Sequence, residues 1–235
     1  MAEGRTKWPA VEDDWFVEPS AVTSWLLARE TFVGRIYDPC CGQGNIVEAC
    51  LAAGLDARGS DLRERVGAVG KSWFGGRGDF RSMVLSDPNV ISNPPYGRAK
   101  LTEAFIYQFW NVSPAVHKLA VFTNAKFLFG SGRAMGLFTM IPPSRVWPVN
   151  PRPSCPPGQF LVDGGKASGG VENFCWLVWD RSAAPGTMIH WNPVGAPREI
   201  SHDPGELRNG GDKPVTDHGQ IATLGHGGNQ QILEG

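Results

Sequence analysis

The fold of this chain is decided by one short stretch, which reads Ile36-Tyr37-Asp38-Pro39-Cys40-Cys41-Gly42-Gln43-Gly44-Asn45-Ile46-Val47. It predicts a strand, an acidic residue, a glycine turn and the first turn of a helix that ends near Gly54. Glycines in such a turn let the backbone approach a ligand closely. Val47 stands where a dinucleotide-binding motif carries its third glycine, so a phosphate clamp of the NAD type is disfavoured.

Asp61 ends the next predicted strand, about twenty residues after the glycine turn. In dinucleotide-type folds, an acidic residue at this place binds the hydroxyls of a ribose. The glycine turn and Asp61 together therefore predict a site for a nucleoside-containing cofactor.

The second informative stretch is Ile91-Ser92-Asn93-Pro94-Pro95-Tyr96-Gly97. The two prolines fix φ and remove two backbone donors, so the turn presents carbonyl oxygens in a rigid frame. Asn93 adds a side-chain acceptor and Tyr96 adds a flat aromatic face. This combination suits a planar group that carries an NH₂, although Asn-Pro dipeptides also mark ordinary surface turns.

Together the two stretches resemble the S-adenosylmethionine (SAM)-dependent amino-methyltransferases, in particular the DNA adenine-N6 methyltransferases. The likeness runs from about Trp15 to Trp179. It implies SAM as the cofactor and methyl transfer to adenine N6 in duplex DNA, with the base flipped out of the helix. Methyltransferases of cytosine N4 usually carry Ser at the position of Asn93, so Asn93 favours adenine.

The resemblance also implies the roles of individual residues. The tetrapeptide Asn93, Pro94, Pro95 and Tyr96 would be catalytic. The cofactor would be bound by the N-terminal motif, the glycine turn and the ends of the next two strands, which comprise Phe16, Glu18, Pro19, Asp38, Pro39, Gly42, Gly44, Asp61, Asp79 and Phe80.

Two alternatives remain open for the function. Methyltransferases that act on RNA adenine or on a protein glutamine amide carry the same tetrapeptide. A protein that keeps the fold but has lost the activity would be a nucleic-acid-binding module, which the intact motifs disfavour. The target sequence and the oligomeric state are not predicted.

Strands and helices alternate along the chain. Strands are predicted at 35–38, 57–61, around 77–80, 89–92 and 119–123, and helices at 21–29, 45–53, 62–70, 101–110 and 133–138. Two β-like runs, 145–149 and 174–179, then follow without a helix between them and predict an antiparallel pair. The expected fold is α/β, a doubly wound and mostly parallel seven-stranded sheet of the SAM-methyltransferase, Rossmann-like type. We expect one domain over 1–193 and a flexible Gly- and Pro-rich tail over 194–235.

Composition narrows the class of protein. No run of about 18 apolar residues predicts a membrane span, and the N-terminus lacks the apolar core of a secretory signal. The five cysteines form no Cys-x-x-Cys pair and the histidines are scattered, so neither a disulfide framework nor a metal site is predicted. These features favour a reduced, cytoplasmic protein.

Charge is uneven along the chain, although the net charge is only −1. Residues 98–166 hold eight Lys and Arg against two acidic residues, and this basic third follows the Asn-Pro-Pro-Tyr turn. Basic side chains around a pocket would meet phosphates; the alternative is that they only solvate helix faces. We expect nucleic-acid contacts from Arg98, Lys100, Arg152 and Lys166, the last two in a long loop at 150–173.

Nine tryptophans are many for this length. Most are expected in the core, as large aromatic side chains usually are. Trp15 and Trp147 lie at the edges of the candidate site segments, where stacking on a cofactor or a base is the alternative to packing.

Overall fold

The computed structural model describes residues 14–191. The helices are α1 (Ser20–Leu27), α2 (Asn45–Ala52), α3 (Lys100–Tyr107), α4 (Ser131–Met135), α5 (Leu137–Met140) and α6 (Gly158–Val162). The strands are β1 (Ile36–Asp38), β2 (Ala57–Asp61), β3 (Phe74–Arg77), β4 (Asn89–Ser92), β5 (Lys118–Asn124), β6 (Arg145–Pro148), β7 (Phe174–Asp180) and β8 (Met188–Ile189).

One sheet contains all these strands, in the order β3-β2-β1-β4-β5-β7-β6-β8. Strands β1 to β5 are parallel, whereas β7 lies between β5 and β6 and is antiparallel to both. The predicted fold class and the antiparallel pair are therefore confirmed. The sheet has eight strands rather than seven, because the two-residue β8 adds to β6.

The sheet carries a core on each face, as alternation along β5 shows. Ala120 and Phe122 belong to one buried cluster, which α1 and α2 cover, whereas Leu119 and Val121 belong to the other, which α3 covers. Because β5 is buried on both faces, it reads as a continuous apolar run rather than as an alternating one. Within residues 14–191, no helix is long and apolar enough to cross a membrane.

Several predicted elements differ from the observed ones. Residues 62–70 form turns instead of a helix, and Gly67 and Gly70 take φ values of +98° and +82° that interrupt helical geometry. The third strand precedes its predicted place and ends at Arg77, and Phe80–Ser82 form a 3₁₀ turn. The predicted helix at 133–138 is split at Gly136 into α4 and α5. The tail at 194–235 lies outside the described residues.

The chain order places three side chains at one edge of the sheet. From β1 the chain moves outward to β2 and β3 and then returns to β4 on the other side of β1. Ligands bind at such switch points, outside the carboxyl ends of the strands. Asp38 ends β1, Asp61 ends β2 and Asn93 directly follows β4.

Candidate active site

A cavity of about 580 Å³ opens at this switch point. Its walls come from the strap, which we define as residues 14–18, from the glycine turn after β1, and from segments that follow β2, β3 and β4. It brings together most of the predicted site residues, namely Phe16, Glu18, Asp38, Pro39, Gly42, Asp61, Asp79, Phe80, Asn93 and Pro95. Pro19, Gly44, Pro94 and Tyr96 are not among the residues that line it.

The two glycines of the turn have different roles. Gly44 has a φ of +95°, and a Cβ there would lie 2.2 Å from the Trp73 ring. This glycine therefore serves the start of α2 and the packing of Trp73. Gly42 lies on the cavity wall, and its N–H donates to Asp61 Oδ2 at 2.9 Å.

Asp61 is held firmly at the end of β2. Its Oδ2 accepts from Gly42, its Oδ1 accepts from the N–H of Arg63 at 3.0 Å, and the Arg65 guanidinium lies 3.8 Å from Oδ1. The carboxylate thus ties the second strand to the glycine turn. Its remaining lone pairs are the acceptors that a ribose diol requires.

Asp38 is the most buried carboxylate of the cavity, with 1% exposure. Its Oδ1 accepts from Ser92 Oγ at 2.6 Å and from the Cys40 N–H at 3.1 Å. Within the described part of the chain, its Oδ2 is buried without a hydrogen-bond partner. Burial raises the pKa of Asp38 well above its usual range, and the nearby carboxylates of Glu18 and Asp61 raise this pKa further.

Asn93 is fixed by hydrogen bonds at both ends of its amide. Its Nδ2 donates to the Phe16 carbonyl at 3.0 Å and to Glu18 Oε2 at 2.7 Å, and its Oδ1 accepts from the Tyr96 hydroxyl at 3.0 Å. Rotating the amide by 180° would set its oxygen against two acceptors. A hydrogen bond to a charged group contributes about 1.5–3 kcal/mol, so this orientation is strongly preferred.

Glu18 is the partner that sequence reasoning missed for Asn93. The strap was assigned to the cofactor, but the Glu18 carboxylate, which also lines the cavity, bonds to the catalytic tetrapeptide. Glu18 is 6% exposed, and burial raises its pKa to about 7, although hydrogen bonds from its backbone and from Asn93 oppose this rise. The Glu18-Pro19 pair at the end of the strap was the available signal in the sequence, but it did not reveal that Asn93 is the partner of Glu18.

The long loop holds the strap in place. Val17 N–H donates to the Pro156 carbonyl at 2.9 Å, and Gly158 N–H donates to the Trp15 carbonyl at 2.9 Å. A Cβ at Gly158 would lie 2.2 Å from the Trp15 ring, so only glycine fits beneath that indole. The predicted loop at 150–173 therefore contains α6 and supports the site through its contacts with the strap.

Tyr96 lies behind the cavity wall, beside the strap. Its ring stacks on Phe16 with centroids 6.3 Å apart and planes inclined by 22°. Burial raises the pKa of Tyr96 well above its usual range, so the hydroxyl stays protonated and donates to Asn93.

Asp79 and Phe80 form the far wall of the cavity. Both oxygens of Asp79 accept from Arg81 Nε, at 2.9 and 3.0 Å, and this hydrogen bonding lowers the pKa of Asp79. Phe80 packs on Phe105, with ring centroids 5.3 Å apart, so most of its surface belongs to the core.

The two tryptophans weighed for stacking separate clearly. Trp147 is buried in the core, where its Nε1–H donates to Glu30, and it does not line the cavity. Trp15 lines the cavity, and the Arg65 guanidinium lies 4.2 Å from its ring centroid. Trp15 is the tryptophan that a ligand in the cavity would contact.

The basic third does not act as one basic surface. Four of its eight Lys and Arg residues pair with carboxylates, namely Lys118, Lys126, Arg133 and Arg145. Arg152 Nε donates to Asn173 Oδ1 at 2.7 Å, and Lys100 and Lys166 are exposed. The side chain of Arg98 lies outside the described part of the structure.

The cavity is acidic overall. Five carboxylates line it against two guanidinium groups, and the acidic members are Asp14, Glu18, Asp38, Asp61 and Asp79. Among residues 14–191, no cluster of three His, Cys, Asp or Glu side chains has the geometry to hold a metal ion. The charge of the cavity lining therefore suits a ligand that carries positive charge.

No family model and no curated protein matches the chain. The fold is similar to a candidate class I SAM-dependent methyltransferase from Listeria monocytogenes (16% identity, TM-score 0.49, 72% of this chain and 62% of that one). It is also similar to a candidate RNA methyltransferase from Pyrococcus horikoshii (13%, 0.49, 68% and 82%) and to TrmN from Thermus thermophilus (19%, 0.40, 68% and 48%). At these identities and scores the neighbours assign neither activity nor substrate to this chain.

Proposed function

We propose that this protein transfers a methyl group from SAM to the N6 amine of adenine in DNA, with the base flipped out of the duplex. The observation that carries the proposal is the orientation of Asn93. Its amide is locked with Oδ1 on the side away from the Phe16 carbonyl and Glu18. An acceptor held in this direction can stabilise the positive charge that develops on an amine during methyl transfer.

The charge of the cavity supports SAM as the cofactor. Within residues 14–191, Asp38 Oδ2 is buried without a hydrogen-bond partner, and the buried Glu18 carboxyl group has no ion-pair partner. Buried carboxylates are stabilised by a cation, and SAM brings an ammonium and a sulfonium. A pyrophosphate would be repelled by the same groups, which argues against a dinucleotide.

Bound SAM supplies a methyl carbon on a positively charged sulfur, which leaves as a neutral thioether when the methyl carbon bonds to nitrogen. The N6 lone pair of adenine is delocalised into the ring, so the protein must make this amine a better nucleophile. Asn93 Oδ1 would accept one N6–H, and the Pro94 carbonyl is the second acceptor that the family resemblance implies. Both bonds strengthen as positive charge develops on nitrogen, which is differential binding of the transition state. The surplus proton then passes to solvent.

Tyr96 supports the same arrangement. Its ring is already stacked on Phe16 and its hydroxyl is bonded to Asn93 Oδ1. Phe16 and Asn93 both line the cavity, so an adenine that enters it would meet an aromatic side chain and an oriented acceptor in one place. Alignment of the amine with the methyl donor provides the proximity contribution.

The test is methyl transfer from labelled SAM to duplex DNA, single-stranded DNA, RNA and protein, each assayed separately. We expect N6-methyladenine in DNA, identified by mass spectrometry. Asn93→Ala should lower turnover by about 10²–10³, the usual loss for one oriented transition-state hydrogen bond. Asn111→Ala removes an exposed amide and is the matched control, with turnover unchanged.

Other outcomes would redirect or end the proposal. Methylation confined to RNA or to a protein glutamine would assign the other substrates of the same chemistry. N4-methylcytosine as the main product, or full activity in Asn93→Ala, would contradict the proposed role of Asn93. A parent protein that binds no SAM in calorimetry would remove the proposal entirely.

A further inference from the structure

An asparagine amide offers a donor at one end and an acceptor at the other, and the two ends have nearly the same shape. Only one of its two orientations turns an acceptor toward a substrate amine. In this chain, the Asn93 NH₂ group meets the Phe16 carbonyl at 3.0 Å and Glu18 Oε2 at 2.7 Å. Both partners accept hydrogen bonds, so together they select one orientation.

We propose that Glu18 is a positioning residue for catalysis, whose carboxylate holds the Asn93 amide so that Oδ1 faces the substrate amine. This inference rests on the proposed function and adds to it a residue that never touches the methyl acceptor. Glu18 acts through Asn93. The strap that carries Glu18 is held in turn by Pro156 and Gly158 of the long loop.

The negative charge of Glu18 distinguishes this role from simple packing. Among residues 14–191, the titratable groups that interact with Glu18 are Asp38, Cys41, Tyr96 and Cys155, and each of them is an acid. None of them compensates the negative charge of the buried carboxylate. This charge therefore lowers the free energy of unfolding unless a ligand provides a positive charge beside it. A neutral acceptor would satisfy the amide at lower cost.

The charge also acts on the amide electronically. A carboxylate that accepts from the NH₂ group polarises the amide and increases the electron density on Oδ1. Oδ1 then accepts a hydrogen bond more strongly from the amine on which positive charge develops. Glu18 therefore sets both the direction and the strength of the Asn93 acceptor.

The first experiment follows the Asn93 side-chain NH₂ by ¹⁵N–¹H NMR in the protein without cofactor, so it does not depend on methyl transfer. The signal is assigned by its loss in Asn93→Ala. We expect its chemical shift to titrate with a midpoint near the Glu18 pKa of about 7. Glu18→Gln should abolish this titration. Glu30→Gln replaces an equally buried glutamate elsewhere and should leave it in place.

The second experiment measures turnover at saturating SAM and the dissociation constant of SAM. We expect Glu18→Ala to lower kcat by about 10–100-fold, the equivalent of one charge-assisted hydrogen bond. Glu18→Gln keeps an acceptor oxygen and should stay within about fivefold of the parent. The parent rate should fall with protonation of Glu18, at a pH below 7 because bound SAM favours the carboxylate, whereas Glu18→Gln should show no such fall.

Opposite results overturn the inference. An Asn93 signal that does not titrate, or that titrates equally in Glu18→Gln, would show that Glu18 does not hold the amide. A Glu18→Ala protein with weakened SAM binding and full kcat at saturation would make Glu18 a cofactor ligand instead. If Glu18→Ala does not fold, the NMR titration and Glu18→Gln still decide. If the parent methylates nothing, the proposed function fails while the NMR result still tests the contact.

Discussion

Glu18 and Glu30 are buried to the same degree, at 6% exposure each, yet their surroundings are opposite. Glu30 accepts two bonds from Arg145, at 2.6 and 2.9 Å, one from Lys118 at 3.1 Å and one from Trp147 at 2.9 Å. Burial alone would raise the pKa of Glu30, but these donors outweigh it and lower the pKa. The pKa of Glu18 is instead raised to about 7.

The surroundings of Glu30 and those of Glu18 differ in whether cations accompany the buried carboxyl groups. At the edge of β5, β6 and β7, two carboxylates meet two cations, because Asp180 also pairs with Lys118 and Arg145. This network ties the end of α1 to the sheet and needs nothing further. At the cavity, Glu18 and Asp38 lie close to each other without such cations. Buried charge that is left unmatched is typical of functional sites, where a ligand completes it.

The largest expected effect breaks the matched network. Arg145→Met leaves Glu30 and Asp180 with Lys118 alone, and we expect a loss of roughly 3 kcal/mol, because removing one partner strands a buried charge. Urea unfolding at pH 7 measures it. Burial acts to raise the pKa values of Glu30 and Asp180, but their hydrogen bonds and cations lower them. The network therefore stabilises the fold at pH values above the ordinary pKa values of these groups, and this contribution is lost as the pH falls. The variant should therefore show a weaker dependence on acid than the parent, and an equal dependence would contradict the account.

The next effect has the opposite sign. The pKa of Glu18 rises from 4.5 in the unfolded chain to about 7 in the folded one, so folding favours its protonated form. The cost of keeping ionised Glu18 buried is absent below pH 4.5, grows up to about pH 7 and is then constant. We expect Glu18→Gln to stabilise the protein at pH 8 by about 1–3 kcal/mol and to change little at pH 4. Equal stability of the two proteins in urea at pH 8 would mean that other groups compensate the buried charge of Glu18.

Cofactor affinity sharpens the comparison further. If the positive charge of SAM pairs with the carboxyl groups of the cavity, SAM binding must release the proton that Glu18 holds below pH 7. We expect the affinity for SAM to rise about tenfold more from pH 6 to pH 8 in the parent than in Glu18→Gln, as one linked proton requires. Calorimetry in two buffers of different ionisation enthalpy measures the proton release directly. The same pH dependence in both proteins would leave Asp38 as the linked group.

The smallest effect comes from a pair of similar geometry in water. Arg35 Nε lies 2.8 Å from Asp56 Oδ2, but the two side chains are 39% and 57% exposed. Arg35→Met should therefore lower the free energy of unfolding far less than Arg145→Met does, because solvent screens such a pair. A loss in urea unfolding as large as that of Arg145→Met would show that burial is not what separates the two pairs.

Local sequence patterns predicted the first two strands and the edge of the sheet at which the site lies. The observed β1 and β2, Ile36–Asp38 and Ala57–Asp61, agree with the predicted 35–38 and 57–61, because an aspartate ends each strand. The placement of Asp38, Asp61 and Asn93 at one edge followed from the parallel order of the strands. Residues 62–70 failed as a helix because two glycines with positive φ lie within them.

The contacts that define the site could not be predicted in the same way. Glu18 and Asn93 lie 75 residues apart, and neither motif names the other. Counting charge by thirds of the chain failed for a related reason. Lys118 and Arg145 looked like a basic surface, but their partners Glu30 and Asp180 come from the first and last thirds. Sequence position says little about which charges meet.

The bridge between Phe16 and Pro157 has a consequence for how this protein is made. The strap is synthesised long before its partner in the long loop, which follows β6. At about 5–20 residues per second, the strap waits on the order of ten seconds before it can dock. The wall of the cavity that carries Glu18 is therefore completed only after the long loop has been synthesised, although Glu18 and Asn93 both leave the ribosome well before it.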